Sequence, residues 1–184
     1  MKTKPVKTRR GATSETGPEE VSPGKRSGTS IHLRKILVPV DFSGESKRAL
    51  QYAVGFARQF GASITLLHVV EPMVYPPDAG YGPMISQVPN IGSIRKAGTR
   101  LSALGKKQVG RELLAETAVL TGSPHHEITR AARALAIDLI VMGTHGYTGL
   151  NHALMGSTAE RVVRHAPCPV FVVRKGPMSL FKHG

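Results

Sequence analysis

After Met1, sizeable apolar side chains are nearly missing from the first thirty positions, where only Val6 and Val21 interrupt a Lys/Gly/Ser/Thr/Pro-rich stretch. From there apolar residues come in two alternating patterns. Short, mainly apolar runs occur at Ile36–Val40, Ile64–Val70, Leu113–Leu120, Asp138–Met142 and Val170–Val173 and read as strands, the nearly continuous one at Ile64–Val70 as a strand covered on both faces. Between them, apolar residues recur every three or four positions: Leu50, Ala53, Val54, Ala57 and Phe60; Ile94, Ala97, Leu101 and Leu104; Ile128, Ala131, Ala132 and Leu135; Ala159, Val162, Val163 and Ala166. That spacing predicts four helices with one apolar face each. The punctuation agrees. Ser43 can cap the first helix and Gly61 stop it, Ser123-Pro124 opens the third with proline where its missing N–H costs nothing, and Pro167 ends the fourth. Gly98 and Gly105 weaken the second helix by about 1 kcal/mol each, and 71–90 is a Pro/Gly-rich excursion with no assignable element.

Strands alternating with helices imply a single α/β domain: a five-stranded parallel sheet with helices on both faces, Rossmann-like, over residues 33–174. Residues 1–32 are expected to be a disordered basic tail, because they cannot bury enough surface to offset the entropy of ordering them, and 175–184 a short C-terminal tail.

Charge changes this picture in one place. Of a formal net charge of +13, residues 1–35 carry nine Lys/Arg against three Glu, almost half of the excess on about a fifth of the chain. Such an arm attracts nucleic acid or an anionic surface with a steep salt dependence; the plainer reading, a solvated tail, is favoured. No apolar run approaches the roughly 18 residues of a membrane span, and the basic N-terminus lacks the apolar core of a secretory signal. The single cysteine, Cys168, excludes an internal disulfide and reads as a packed thiol. A cytoplasmic protein is the expectation.

The candidate chemistry lies in 143–158, GTHGYTGLNHALMGST. It starts at the carboxyl end of the fourth strand, where ligands of open α/β sheets sit, and ends at a helix start. Ser157 with Glu160 has the spacing of a capping box and places that start at Gly156–Ser157. A helix N-terminus offers unpaired N–H groups to an anion, and glycine lets the backbone approach it. A βα loop also commonly contains glycine without binding anything, so the residues alone leave both readings open.

Gly143-x2-Gly146-x9-Gly156-Ser157 resembles the G-x2-G-x9-G-[S/T] motif of the nucleotide-binding branch of the universal stress protein family. ILVPVDFS at 36–43, TLLHVVEP at 65–72, GSPHHEI at 122–128, DLIVMGTHG at 138–146 and PCPVFVVR at 167–174 are similar to that family's successive elements, in order. The resemblance implies an adenine-nucleotide-binding stress-response protein, a switch or binding module for ATP with Mg2+ or Mn2+ bridging the phosphates. It implies that Asp41 holds the ribose or adenosine end, Val69 contacts adenine, Met142 and Gly143 line the nucleoside side, and Gly146, Gly156, Ser157 and Thr158 hold the phosphates. It also implies a homodimer through the strand at 169–174. Many relatives carry a basic residue directly after the second motif glycine, where this chain has Tyr147.

Other nucleotide motifs fail. Gly105-Lys106-Lys107 lacks the earlier glycine and the hydroxyl of a P-loop, and VDFSGES after the first strand is no dinucleotide fingerprint. Thr121-Gly122 stands where a phosphoacceptor domain needs an aspartate, and SGES is not the serine–glycine–glycine loop of an adenylating pyrophosphatase. Adjacent His125 and His126 point apart on a helix and make poor joint metal ligands, His145 and His152 flank the glycine loop, and His68 reads as a hydrogen-bonded core histidine. With no evident water-activating base, lysine clamp or arginine finger, binding with at most slow hydrolysis is expected. The alternatives are a nucleotide-independent dimeric interaction protein and a nucleic-acid or anionic-surface binder acting through the basic tail.

Overall fold

A strand that is apolar at consecutive positions has to be covered on both sides, and the helices between the strands supply the cover. The computed structural model describes residues 31–72, 91–144 and 155–174. Its elements are β1 (Lys35–Pro39), α1 (Gly44–Phe60), β2 (Ser63–Val70), α2 (Ile91–Gln108), β3 (Leu114–Thr121), α3 (Pro124–Ala134), β4 (Leu139–Gly143), α4 (Ser157–His165) and β5 (Val170–Val173). The sheet is parallel throughout, in the order β3-β2-β1-β4-β5. The chain builds outward from β1 to β3, then crosses back to place β4 on the other side of β1. Strand order therefore reverses between β1 and β4.

Side-chain alternation divides the interior in two. Ile36 and Val38 of β1, Leu66 of β2 and Val141 of β4 pack with Leu50 of α1 and Leu101 of α2. Leu37, Leu67, Ile140 and Met142 point the other way and pack with Ile128 of α3 and Val162 of α4. One sheet thus serves two cores, α1 and α2 on one face and α3 and α4 on the other.

The five strands and four helices predicted from the pattern are present, with strand ends shifted by a residue. Ser43 caps α1, its side chain accepting from the Ser46 N–H, and Gly61 closes the helix in the left-handed conformation at φ 68°. The apolar stripes are narrower than predicted at two places. Phe60, the last residue of α1, is 43% exposed, and Val163, turned outward on the short α4, is 47% exposed. The excursion beyond Pro72 and the N- and C-terminal tails lie outside the described residues. Among the described residues no helix is long and apolar enough to cross a membrane.

The two glycines of α2 differ in kind. A Cβ on Gly105 would stand 2.8 Å from a Leu114 methyl and 3.3 Å from Leu66, whereas one on Gly98 would meet only Val119 at 3.9 Å. Gly105 is therefore the point where α2 closes onto β2 and β3. Gly105→Val is expected to destabilise by about 1–3 kcal/mol through overpacking. Gly98→Ala is expected to stabilise by about 0.5–1 kcal/mol through helix propensity. Urea unfolding of the two variants reads both signs.

Candidate functional site

The reversal of strand order leaves a crevice at the carboxyl ends of β1, β2 and β4. A cavity of about 250 Å³ opens there. Its floor and apolar wall come from strand ends and one helix: Val40, Leu67, Val69 and Met142, with Ile128 of α3. Its polar side is formed by Asp41, Ser46, Glu71, Thr144 and the first turn of α4. Of the residues singled out in the sequence, Asp41, Val69, Met142, Gly143, Gly156, Ser157 and Thr158 all line this one cavity. Gly146 lies outside the described residues, as do Gly149, Tyr147, His145 and His152.

Asp41 follows the last residues of β1 and heads into α1. Its Oδ1 accepts the Ser43 N–H at 3.0 Å, an Asx turn that redirects the chain. Its Oδ2 is buried and has no hydrogen-bond partner. A buried carboxylate oxygen without a donor is costly, and the residue that carries it lines the cavity. Burial alone raises the Asp41 pKa. The Ser43 and Ser46 hydroxyls and the Ser43 amide outweigh it and hold the carboxyl below its ordinary value of 3.8. The group is therefore an ionised acceptor at neutral pH.

The α4 N-terminus faces the same space, and here one sequence expectation is corrected. Ser157 does not cap the helix. Gly156 is the N-cap, at φ −71° and ψ 152°, and Ser157 is already the first helical residue. The capping-box spacing is present, but a serine inside the helix cannot reach its own third N–H, and the Glu160 carboxylate pairs with Arg164 at 3.0 Å instead. The result favours a ligand: the amides of Ser157, Thr158 and Ala159 have no side-chain cap, and all three residues line the cavity. The Gly156 N–H donates to the Thr144 carbonyl at 2.8 Å, which returns the glycine loop to the end of the strand it left.

Thr144, Glu45, Ser46 and Glu71 were not singled out by sequence reasoning. Buried Thr144 donates its hydroxyl to Glu45 Oε2 at 2.9 Å, a contact 99 residues apart in sequence that no local pattern announces. His68 is hydrogen-bonded as expected, its Nδ1–H donating to the Val40 carbonyl at 2.6 Å, and it also lines the cavity. A carbonyl can only accept, so this contact fixes the Nδ1–H tautomer of the neutral ring. The α3 N-terminus brings Pro124 to the rim, and Ser123 Oγ bonds His125 Nδ1 at 2.9 Å rather than capping the helix. Cys168 packs into the second core, and burial followed by the Asp138 charge pushes its thiol pKa up. Among the described residues no cluster of His, Cys, Asp or Glu has the make-up of a metal site.

Known proteins resemble this chain in sequence and fold. A universal stress protein of Methanocaldococcus jannaschii, MJ0531, is 38% identical over 155 residues, covering 82% of this chain and 86% of its own length. The structure of a second protein of that name series, MJ0577, superposes with a TM-score of 0.65 at 28% identity, covering 79% of this chain and 99% of that one. A universal stress protein from Archaeoglobus fulgidus, in complex with dAMP, has a TM-score of 0.54 at 22% identity, covering 77% of this chain and 98% of that one, a likeness of fold. The model of the universal stress protein family matches residues 32–174. With its strand order and its crevice between β1 and β4, the chain belongs to the universal stress protein family.

Proposed function

We propose that this protein binds an adenine nucleotide, ATP in the first place, and works as a nucleotide-dependent switch or binding module in a stress response. One observation carries the reading: the uncapped first turn of α4 and Asp41, whose Oδ2 has no partner, line a single cavity that also has an apolar wall of Val69, Ile128 and Met142. A nucleotide has the complementary order of parts. Its phosphates match the amide end, its ribose hydroxyls donate to Asp41, and its flat base packs between Val69, Ile128 and Met142. The cavity is slightly smaller than the roughly 300–1,000 Å³ of typical small-molecule sites, which suits a base and sugar with phosphates at the rim. The fold neighbour from Archaeoglobus fulgidus, bound to dAMP, is in keeping with this reading.

Gly143, Gly156, Ser157 and Thr158 are assigned to the phosphates, and Gly146 joins them by its place in the motif. A Mg2+ or Mn2+ ion would be held mainly by phosphate and water, since among the described residues no group of carboxylates and histidines forms a cation cage. Asp41 and Glu71 are the carboxylates of the cavity, and Asp41 is committed to holding the sugar. Turnover slower than about 1 per second is the expectation.

A homodimer through β5 is proposed alongside. β5 is an edge of the described sheet, and Val170, Phe171 and Val172 on it are only partly buried. Light scattering of a monomer at micromolar concentration would overturn this. The same measurement separates nucleotide binding from a nucleotide-independent interaction protein, because a Gly156 variant should dimerise while failing to bind.

Calorimetric titration with ATP tests the site. Gly156 has a φ that any residue adopts, so Gly156→Val is expected to fold and to bind at least about tenfold more weakly by blocking the approach to the amides. Asp41→Asn keeps an acceptor for the Ser43 N–H but turns the orphaned position from acceptor into donor. A loss of about 10- to 100-fold is expected, the scale of one hydrogen bond to a charged group. The lowered Asp41 pKa keeps the carboxylate charged throughout pH 5–8, so wild-type affinity should not change over that range on its account. Its contribution to stability is likewise complete above its unfolded value of 3.8 and lost as pH falls through the lower folded one. Full-strength ATP binding by both variants would sink the assignment.

A further inference from the structure

Behind Asp41, on the face of the sheet away from the second core, the ring of Phe42 is held from two directions. The His68 ring lies at a centroid distance of 4.8 Å, tilted by 42°. The Arg100 guanidinium of α2 stands 4.1 Å from the Phe42 centroid. Phe42 itself adopts φ 66°, a region that a bulky side chain enters only when its surroundings impose it. The surroundings do so residue by residue. The Val40 N–H donates to the Leu67 carbonyl at 2.7 Å, His68 donates to the Val40 carbonyl, and the Ser43 N–H donates to Asp41 Oδ1. Among the described residues, the one buried carboxylate oxygen left without a donor belongs to the residue just before the strained one.

We propose that the Arg100–Phe42–His68 stack is a positioning device for Asp41, so that Phe42 and Arg100, which do not line the cavity, set how strongly the site prefers a ribose to a sugar without hydroxyls. The inference rests on the reading of the cavity as an adenine-nucleotide site. The left-handed turn at Phe42 swings the Asp41 carboxylate toward the cavity, and the ring, trapped between a cation and an imidazole, keeps the turn from relaxing. Without the ring's anchorage the carboxylate gains rotational freedom, and the directed bond to a sugar hydroxyl suffers. Contacts to base and phosphates, made by other elements, do not.

The test compares ATP with 2′,3′-dideoxy-ATP by titration calorimetry on the full chain. Phe42→Gly removes the ring while leaving a residue at ease with positive φ. Arg100→Gln removes only the cation, from an exposed position, and is not expected to impair folding; thermal unfolding checks both. Wild type should prefer ATP by at least about tenfold. Arg100→Gln should reduce that preference by about two- to fivefold, the scale of an exposed cation–π contact, and Phe42→Gly should abolish most of it. Affinity for the dideoxy analogue should stay at the wild-type level in both. A folded Arg100→Gln protein with an unchanged preference overturns the inference, as does a wild type that binds both ligands equally. A wild type that binds neither overturns the nucleotide reading itself.

Discussion

A backbone hydrogen bond of 2.8 Å, from the Gly156 N–H to the Thr144 carbonyl, decides what the end of this sheet can do. Thr144 is where four elements meet. Its own N–H is held by the Val173 carbonyl of β5, its hydroxyl by Glu45 in the first turn of α1, and its carbonyl by the residue that starts α4. The loop from 144 to 156 is thereby obliged to return to its origin. The helix then starts beside the strand ends rather than out over solvent. Because the N-cap is a glycine, no cap side chain occupies the amides that this placement presents.

The cavity that results is polarised without a formal positive charge on its described walls. Its walls include helix amides with the partial positive charge of the α4 terminus and an ionised aspartate. Between them the strand ends contribute apolar side chains that belong as much to the second core as to the cavity, Met142 and Leu67 among them. The site is therefore stiff for the same reason the fold is stable, since its floor cannot move without disturbing close-packed side chains.

How far the sequence announces this depends on whether the cause is local. Strands and helices were legible because their patterns, a short apolar run and an apolar repeat of 3.6, are local, and because Ser43, Gly61 and Pro124 mark helix ends by their own backbone chemistry. Asp41 was legible as an anomaly, an acid directly after an apolar run. The same local reasoning failed at Ser157. Its spacing to Glu160 fits a cap, but the cap position falls on Gly156, whose N–H is held by Thr144, twelve positions before that glycine. Glu45 and Phe42 were invisible for a similar reason. What matters about them is a threonine 99 residues away in one case, and a guanidinium from another helix in the other. Gly105 looked like a flaw in a helix until its neighbours on β2 and β3 were known.

The two edges of the sheet are not alike. β5 ends the sheet with a regular ladder against β4, whereas β3 meets β2 with a register shift between Ile64 and Thr65 and exposes Glu116 close by. An extra residue twists a strand out of line, and a charge discourages a neighbour. Sheets can be extended indefinitely only when both borders are open to addition. A molecule with one inviting border and one blunted border has no such route: two copies joined through like strands use up the available edge, and growth stops there. If copies join through β5, as proposed, the irregular and charged β3 border of the described sheet offers no second edge for further addition.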